Sequence, residues 1–195
     1  MATPPSAYHP ELTESRLSVI AEALLDIRFS TIRDLNTPYD SNYSREGTAF
    51  ERSRNLIIEM CQSKQYDWLT LLNPGMDVTF CIGRVPCRFF RDDPEKPDKR
   101  GFFKRNAADD LFSENEADPV MWRFVVERAE LEDDEDRAYF IGYNVYQEKV
   151  CQWSFGAAGP IIHSIGGDTP PSKPLLPAMV GLKDKSVIAD DAANE

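Results

Sequence analysis

Met76 to Arg91 read MDVTFCIGRVPCRFFR, and at this stretch the apolar period of the chain switches from helical to extended. Met76, Val78, Phe80 and Ile82 alternate with Asp77, Thr79 and Cys81, the two-residue repeat of a half-buried strand. Gly83-Arg84 fits a tight hairpin turn, because glycine supplies the positive φ that the first central position needs. The return strand is VPCRFFR. Pairing Ile82 with Val85 sets Phe80 opposite Cys87 and Cys81 opposite Pro86, which puts the two cysteines on opposite faces and disfavours a disulfide between them. Pro86 has no amide to donate to a ladder, so the return strand is predicted at a sheet edge or at a bulge.

Upstream the period is helical. Leu17, Ile20, Ala21, Leu24, Ile27, Thr31 and Leu35 recur at spacings of three and four, and Thr13 is a suitable N-cap. Asn36, Thr37 and Pro38 stop the pattern, which predicts a first helix over 14 to 35. A second helix is expected to start at Thr48, which has the capping-box spacing to Glu51, with Phe50, Ile57, Ile58 and Cys61 apolar. The following YDWLTLL reads as a further helical turn or a continuation until Asn73-Pro74-Gly75.

Downstream, VMWRFVVERA is apolar in both registers and reads as a central strand. LEDDEDR is a turn, and RAYFIGYNVY and KVCQWSF complete an antiparallel meander. Proline, glycine and small polar residues dominate from Gly156 on, the composition of an extended and partly disordered tail. The expectation is therefore a flexible lead-in over 1–12, one α+β domain over 13–155 and a tail over 156–195. Within the domain, two N-terminal helices should cover one face of an antiparallel sheet of about five strands.

With 195 residues the chain suffices for one well-buried core. A net charge of −11 repels phosphate backbones and anionic membranes, so any nucleic-acid contact has to be local. No stretch is long and apolar enough to span a bilayer, and the opening MATPPSAYHPELTESR lacks a basic region followed by an apolar one. Both features predict a cytoplasmic protein with no membrane contact. Cys61, Cys81, Cys87 and Cys151 show no C-x-x-C spacing and have only His9 and His163 for company, so buried thiols are expected, with no metal and no cofactor.

Positive charge collects in one segment of this acidic chain. Arg84, Arg88, Arg91, Lys99, Arg100, Lys104 and Arg105 are interleaved with Phe102 and Phe103, a mixture suited to the centre of a protein interface or to stacking on single-stranded bases. The competing reading is a solvated loop whose cations pair with Asp92, Asp93, Glu95 and Asp98 or with the acidic turn. That turn carries Asp133, Asp134, Glu135 and Asp136, which lack the spacing of an EF-hand and suit a solvated turn or a docking surface for a basic partner. No G-x-S-x-G, P-loop, H-E-x-x-H or G-x-G-x-x-G occurs, and neither histidine is evidently held beside a nucleophile, so no catalytic residues are assigned.

Phe80, Ile82, Gly83, Val85, Pro86, Arg88, Phe89, Phe90, Arg91 and Asp93 resemble the F-x-I-G-G-V-P-V-R-F-[YF]-R-x-D segment of small phage- and plasmid-associated bacterial proteins, some encoded beside zinc-dependent repressor-cleaving peptidases. Arg84 stands where that segment has its second glycine. The resemblance covers a small part of the chain and implies a two-component module with a protein partner. The expected function is that of a non-enzymatic binding protein, acting on a protein partner as an inhibitor, antitoxin-like or regulatory subunit. A single-stranded nucleic-acid module using residues 84–105 is the main alternative, and an unrecognised hydrolase the second.

Overall fold

A computed structural model describes residues 3–105, 116–129 and 135–156. Asp133, Asp134, His163 and the tail beyond Gly156 lie outside them. A 3-10 turn, Pro5–Ala7, precedes α1 (Glu14–Asp34) and α2 (Asn42–Gln62), and six strands follow: β1 (Leu69–Asn73), β2 (Thr79–Ile82), β3 (Val85–Arg91), β4 (Met121–Glu127), β5 (Arg137–Tyr143) and β6 (Lys149–Phe155). The fold is α+β, with the strands side by side in chain order. Among the described residues no helix is long and apolar enough to cross a membrane.

Helix α1 follows its pattern. The Thr13 hydroxyl accepts from the Arg16 amide, and Leu17, Ile20, Ala21, Leu24 and Thr31 are buried, joined by Arg28. Helix α2 begins earlier than the Thr48 capping box suggests. Ser41 caps it through the Ser44 amide, and a short polar side chain that satisfies an orphan amide suffices to start a helix six residues further upstream. The YDWLTLL stretch, read as a helical turn ending at Asn73, instead leads into the edge strand β1, because Leu69 and Leu71 find apolar partners opposite Ile82 and Phe80. The lead-in is also more than a flexible segment: Pro5 and Leu12 are buried, and the rings of Tyr8 and His9 pack against Trp122.

The β2–β3 hairpin has the expected register, Ile82 with Val85, Cys81 with Pro86 and Phe80 with Cys87, and Gly83 has φ +60°. The strand Val85–Arg91 is nevertheless an interior one, between β2 and β4. Pro86 is tolerated there because its pair with Cys81 is the non-hydrogen-bonded one next to a two-residue turn, and its ladder to β4 begins only at Cys87. Strands β3 and β4 run parallel, with Phe89 level with Phe124, so the sheet is mixed. A parallel neighbour requires the connection from 92 to 120 to carry the chain back to the start of the next strand. Strands β4, β5 and β6 form the expected meander.

The two faces of the sheet are covered differently. Leu17, Ile20 and Leu24 of α1 and Ile57 of α2 pack on Phe80, Ile82, Cys87, Phe89, Trp122, Phe124 and Phe140. Each such large side chain, fully buried, contributes about 1.5–3 kcal/mol. On the reverse face, Phe102 from the β3–β4 connection is buried among Met121, Val125, Ile141 and Tyr143, with Phe90 and Phe103 against the cluster. The connection thus serves as a second layer, which is why both registers of β4 are apolar.

Candidate functional site

The part of the connection covering the reverse face, residues 92–105, is the cationic segment itself. Two buried guanidinium groups hold it from below. Arg88, at 4% exposure, donates from Nη1 to the carbonyls of Gly101 and Lys104, both at 3.3 Å, and lies 5.0 Å over the Phe90 ring. Arg123, at 0%, donates from Nε to the Phe102 carbonyl at 3.0 Å and from Nη2 to that of Lys104 at 3.4 Å. Phe102 adds the apolar anchor, edge-on to Tyr143 at 5.5 Å. Lys104 and Gly101 close a turn at 3.1 Å, with Gly101 at φ +85°.

Two aspartates hold the segment from within. Asp92 accepts from the amides of Asp98 and Lys99, and Asp93 from those of Glu95 and Lys96. These carboxylates are therefore spent on backbone amides rather than on the neighbouring cations. Glu95 pairs outside the loop, with Lys149 at 2.6 Å. Among the described residues the exposed side chains of Lys96, Lys99 and Arg100 form no ion pair, and neither does that of Arg84.

The expected contact residues therefore divide into groups. Arg88 and Phe102 are structural and buried, and Phe103 is half-buried edge-on to Tyr143 at 5.3 Å, so their surfaces are engaged inside the molecule. Arg84 caps the hairpin, roughly 23 Å along the strand from Arg91 at 3.3 Å per residue, and belongs to another part of the surface. Lys104 is exposed and reaches Asp77 at 3.4 Å; Arg105 is exposed beside it. Arg91, Lys99 and Arg100 converge with Arg88 on a cleft of about 340 Å³, walled by Phe50, Val78, Phe89 and Phe90, with Met76 at its edge. Its volume is at the small end of ligand pockets, about 300–1,000 Å³.

Two carboxylates line this cleft, Glu46 and Asp77, against four cations, Arg88, Arg91, Lys99 and Arg100. Each carboxylate is already shared. Asp77 accepts from Arg88 at 2.9 Å and from Lys104, while Glu46 accepts from both Nη atoms of Arg28 at 3.1 Å and forms an ion pair with Nε of Arg91, also at 3.1 Å. The Arg28 guanidinium also meets Asp136, which turns that residue of the acidic patch inward; Glu135 beside it is exposed. Burial disfavours the Arg28 charge, but the hydrogen bond to Glu46 and the Asp136 and Glu46 carboxylates outweigh it and raise its pKa. The cleft keeps a positive surplus inside an acidic protein.

Nothing in the sequence marks Glu46, Asp77 and Phe50 as site residues: Phe50 reads only as an apolar position of the second helix and Asp77 as a polar position of the strand, because their roles in the cleft depend on tertiary contacts. Arg123 does have a signal: a charged residue in a strand apolar on both faces must be buried. Elsewhere, burial pushes the Cys61 and Cys151 thiols up to about 11, far from the thiolate a nucleophile needs. No group of three or more potential metal ligands occurs among the described residues. Compared with protein-family models, with curated proteins and with solved structures, the chain finds no match.

Proposed function

We propose that this chain is a non-enzymatic binding protein that docks a protein partner through the 92–105 loop, as an inhibitor, antitoxin-like or regulatory subunit. One observation carries the reading: the loop is pinned by Arg88, Arg123, Asp92 and Asp93 while Lys96, Lys99 and Arg100 are exposed and form no ion pair among the described residues. A merely solvated loop has no need of such anchoring. Holding charged side chains in one geometry lowers the ordering cost of association, which is what a recognition loop requires.

The same geometry favours protein over single-stranded nucleic acid. Phe102 and Phe103 are packed on the sheet rather than presented to solvent, so the aromatic stacking platform such a module needs is missing from this loop. The net charge of −11 opposes a long polyanion as well. The resemblance to phage- and plasmid-associated proteins supports a two-component module, and its polar positions acquire a physical meaning. Arg88 holds the loop carbonyls, Asp93 holds the loop amides, and Arg91 ties the cleft to α2.

The test is affinity capture from the native host with the wild-type chain and with Lys99→Glu/Arg100→Glu, assaying protein and nucleic acid separately. We expect a stoichiometric protein that the double variant loses while its thermal melting is unchanged. Nuclease-sensitive material without protein would overturn the reading.

A further inference from the structure

The cleft under the loop has a chemistry more specific than general cation presentation. Its walls combine apolar Phe50, Val78, Phe89 and Phe90 with the paired groups Arg88–Asp77 and Arg91–Glu46, whereas the exposed Lys99 and Arg100 at its mouth form no ion pair among the described residues. Both lining carboxylates are occupied by two cations each, Glu46 by Arg28 and Arg91 and Asp77 by Arg88 and Lys104. Neither is available to neutralise Lys99 or Arg100. A bound group that completes this arrangement has an apolar body for the walls and a carboxylate for the mouth.

We propose that the cleft is the anchor subsite for the partner, taking an acidic segment in which a bulky apolar residue follows or precedes an aspartate or glutamate. The inference rests on the protein-binding reading and names the partner chemistry for it. Charge complementarity selects the occupant: four lining cations face two lining carboxylates, so an anionic side chain is drawn in and a basic one repelled. The limited volume restricts the insertion to one or two side chains, with the rest of the partner lying across the loop. An apolar anchor in a pocket ringed by polar contacts is the arrangement in which interface energy concentrates.

The probe is the dipeptide N-acetyl-Asp-Phe-amide, titrated to millimolar concentration into the full isotope-labelled chain and followed by amide chemical shifts. We expect saturable shifts confined to Phe50, Val78, Arg91, Lys99 and Arg100, with N-acetyl-Asn-Phe-amide and N-acetyl-Asp-Ala-amide each binding at least fivefold more weakly. Met76→Glu, at a side chain 66% exposed and therefore tolerant of change, should abolish the shifts by placing a like charge at the rim. Equal binding of the asparagine probe, or saturation elsewhere, overturns the inference. If Lys99→Glu/Arg100→Glu loses a captured protein but the dipeptide leaves the cleft unshifted, the subsite falls while the protein-binding reading stands. Dipeptide binding with the stated selectivity, but without any captured protein, has the opposite meaning: the cleft's ligand chemistry holds and the macromolecular reading fails.

Discussion

Arg123 is buried in the middle of the sheet and donates from Nε to the carbonyl of Phe102, 21 positions earlier in the chain, at 3.0 Å. The bond joins the strand after the crossover to the loop inside it. Together with Arg88 from the preceding strand, it makes the reverse face of the sheet a platform for the cationic loop. Charge-assisted donors to carbonyls contribute about 1.5–3 kcal/mol each. Arg123→Met keeps most of the volume and removes the donors. We expect it to cost about 2–4 kcal/mol in urea unfolding, and to speed amide exchange at Phe102 and Lys104 by at least tenfold. Unchanged exchange at those two amides would mean that Arg88, Asp92, Asp93 and the buried Phe102 ring hold the loop without Arg123.

Glu46 joins α1, α2 and β3 by accepting from Arg28 and forming an ion pair with Arg91. The two pairs differ in solvation, since the Arg28 side chain is 6% exposed and that of Arg91 is 34%. Removing one member of a buried pair leaves an uncompensated charge, at a cost of about 3–5 kcal/mol, whereas exposed pairs contribute about 0–1 kcal/mol. Glu46→Gln should therefore destabilise by roughly 2–4 kcal/mol, discounted because Asp136 still faces Arg28. Arg91→Gln should cost less than about 1 kcal/mol. In a double-mutant cycle, Arg28→Met combined with Glu46→Gln should cost clearly less than the sum of the two single losses. Simple additivity would show that the two residues do not couple.

The α+β class, the first helix and the hairpin register were all legible, because period and turn chemistry are local properties of the sequence. Gly83 and the pairing of Phe80 with Cys87 follow from the spacing alone. The parallel pairing of β3 and β4 was not legible, since it depends on where a long connection returns the chain. Strand β1 was missed for a related reason: Leu69-Thr70-Leu71-Leu72 suits a helix or a strand equally, and only its partner β2 decides. Within the site, the cluster of charges was visible, but the division of labour within it was not. Arg88 and Arg100 look alike in sequence, yet one is buried under the loop and the other exposed on it, and that difference comes from which register of β3 the crossover covers.

His9 packs edge-on against Trp122 with ring centroids 5.7 Å apart, and its pKa is lowered chiefly by burial, with Glu11 and Asp118 opposing. Because the folded value is below the unfolded 6.5, the unfolded chain binds more protons as pH falls. The histidine's contribution to stability is thus complete above about pH 6.5 and is lost as pH drops toward the folded pKa. The melting temperature should decline between pH 7 and pH 5, and His9→Phe, which keeps the ring contact, should flatten that part of the profile. An identical slope in the variant would assign the decline to carboxylates.

Gly142 lies between Trp122 on β4 and Cys151 on β6, its direct partners in the two neighbouring ladders. A Cβ there would stand 2.8 Å from Cβ of Pro119, 2.9 Å from Sγ of Cys151 and 2.9 Å from Cζ3 of Trp122. All three neighbours belong to buried residues, so none is the loose end of a flexible chain. Gly83 presents the other kind of constraint. Its added Cβ would meet the Glu11 side chain at 2.7 Å, and Glu11 can swing outward, leaving mainly the strain of φ +60°. Overpacking a closed site costs about 1–3 kcal/mol or more, and a left-handed conformation about 1–2 kcal/mol. Gly142→Ala is therefore expected to be the more damaging of the two, by up to about 1 kcal/mol in urea unfolding, the difference between the upper ends of those ranges. If Gly83→Ala proves the worse, the Glu11 contact is rigid and the lead-in is fastened to the hairpin more firmly than its half-buried position suggests.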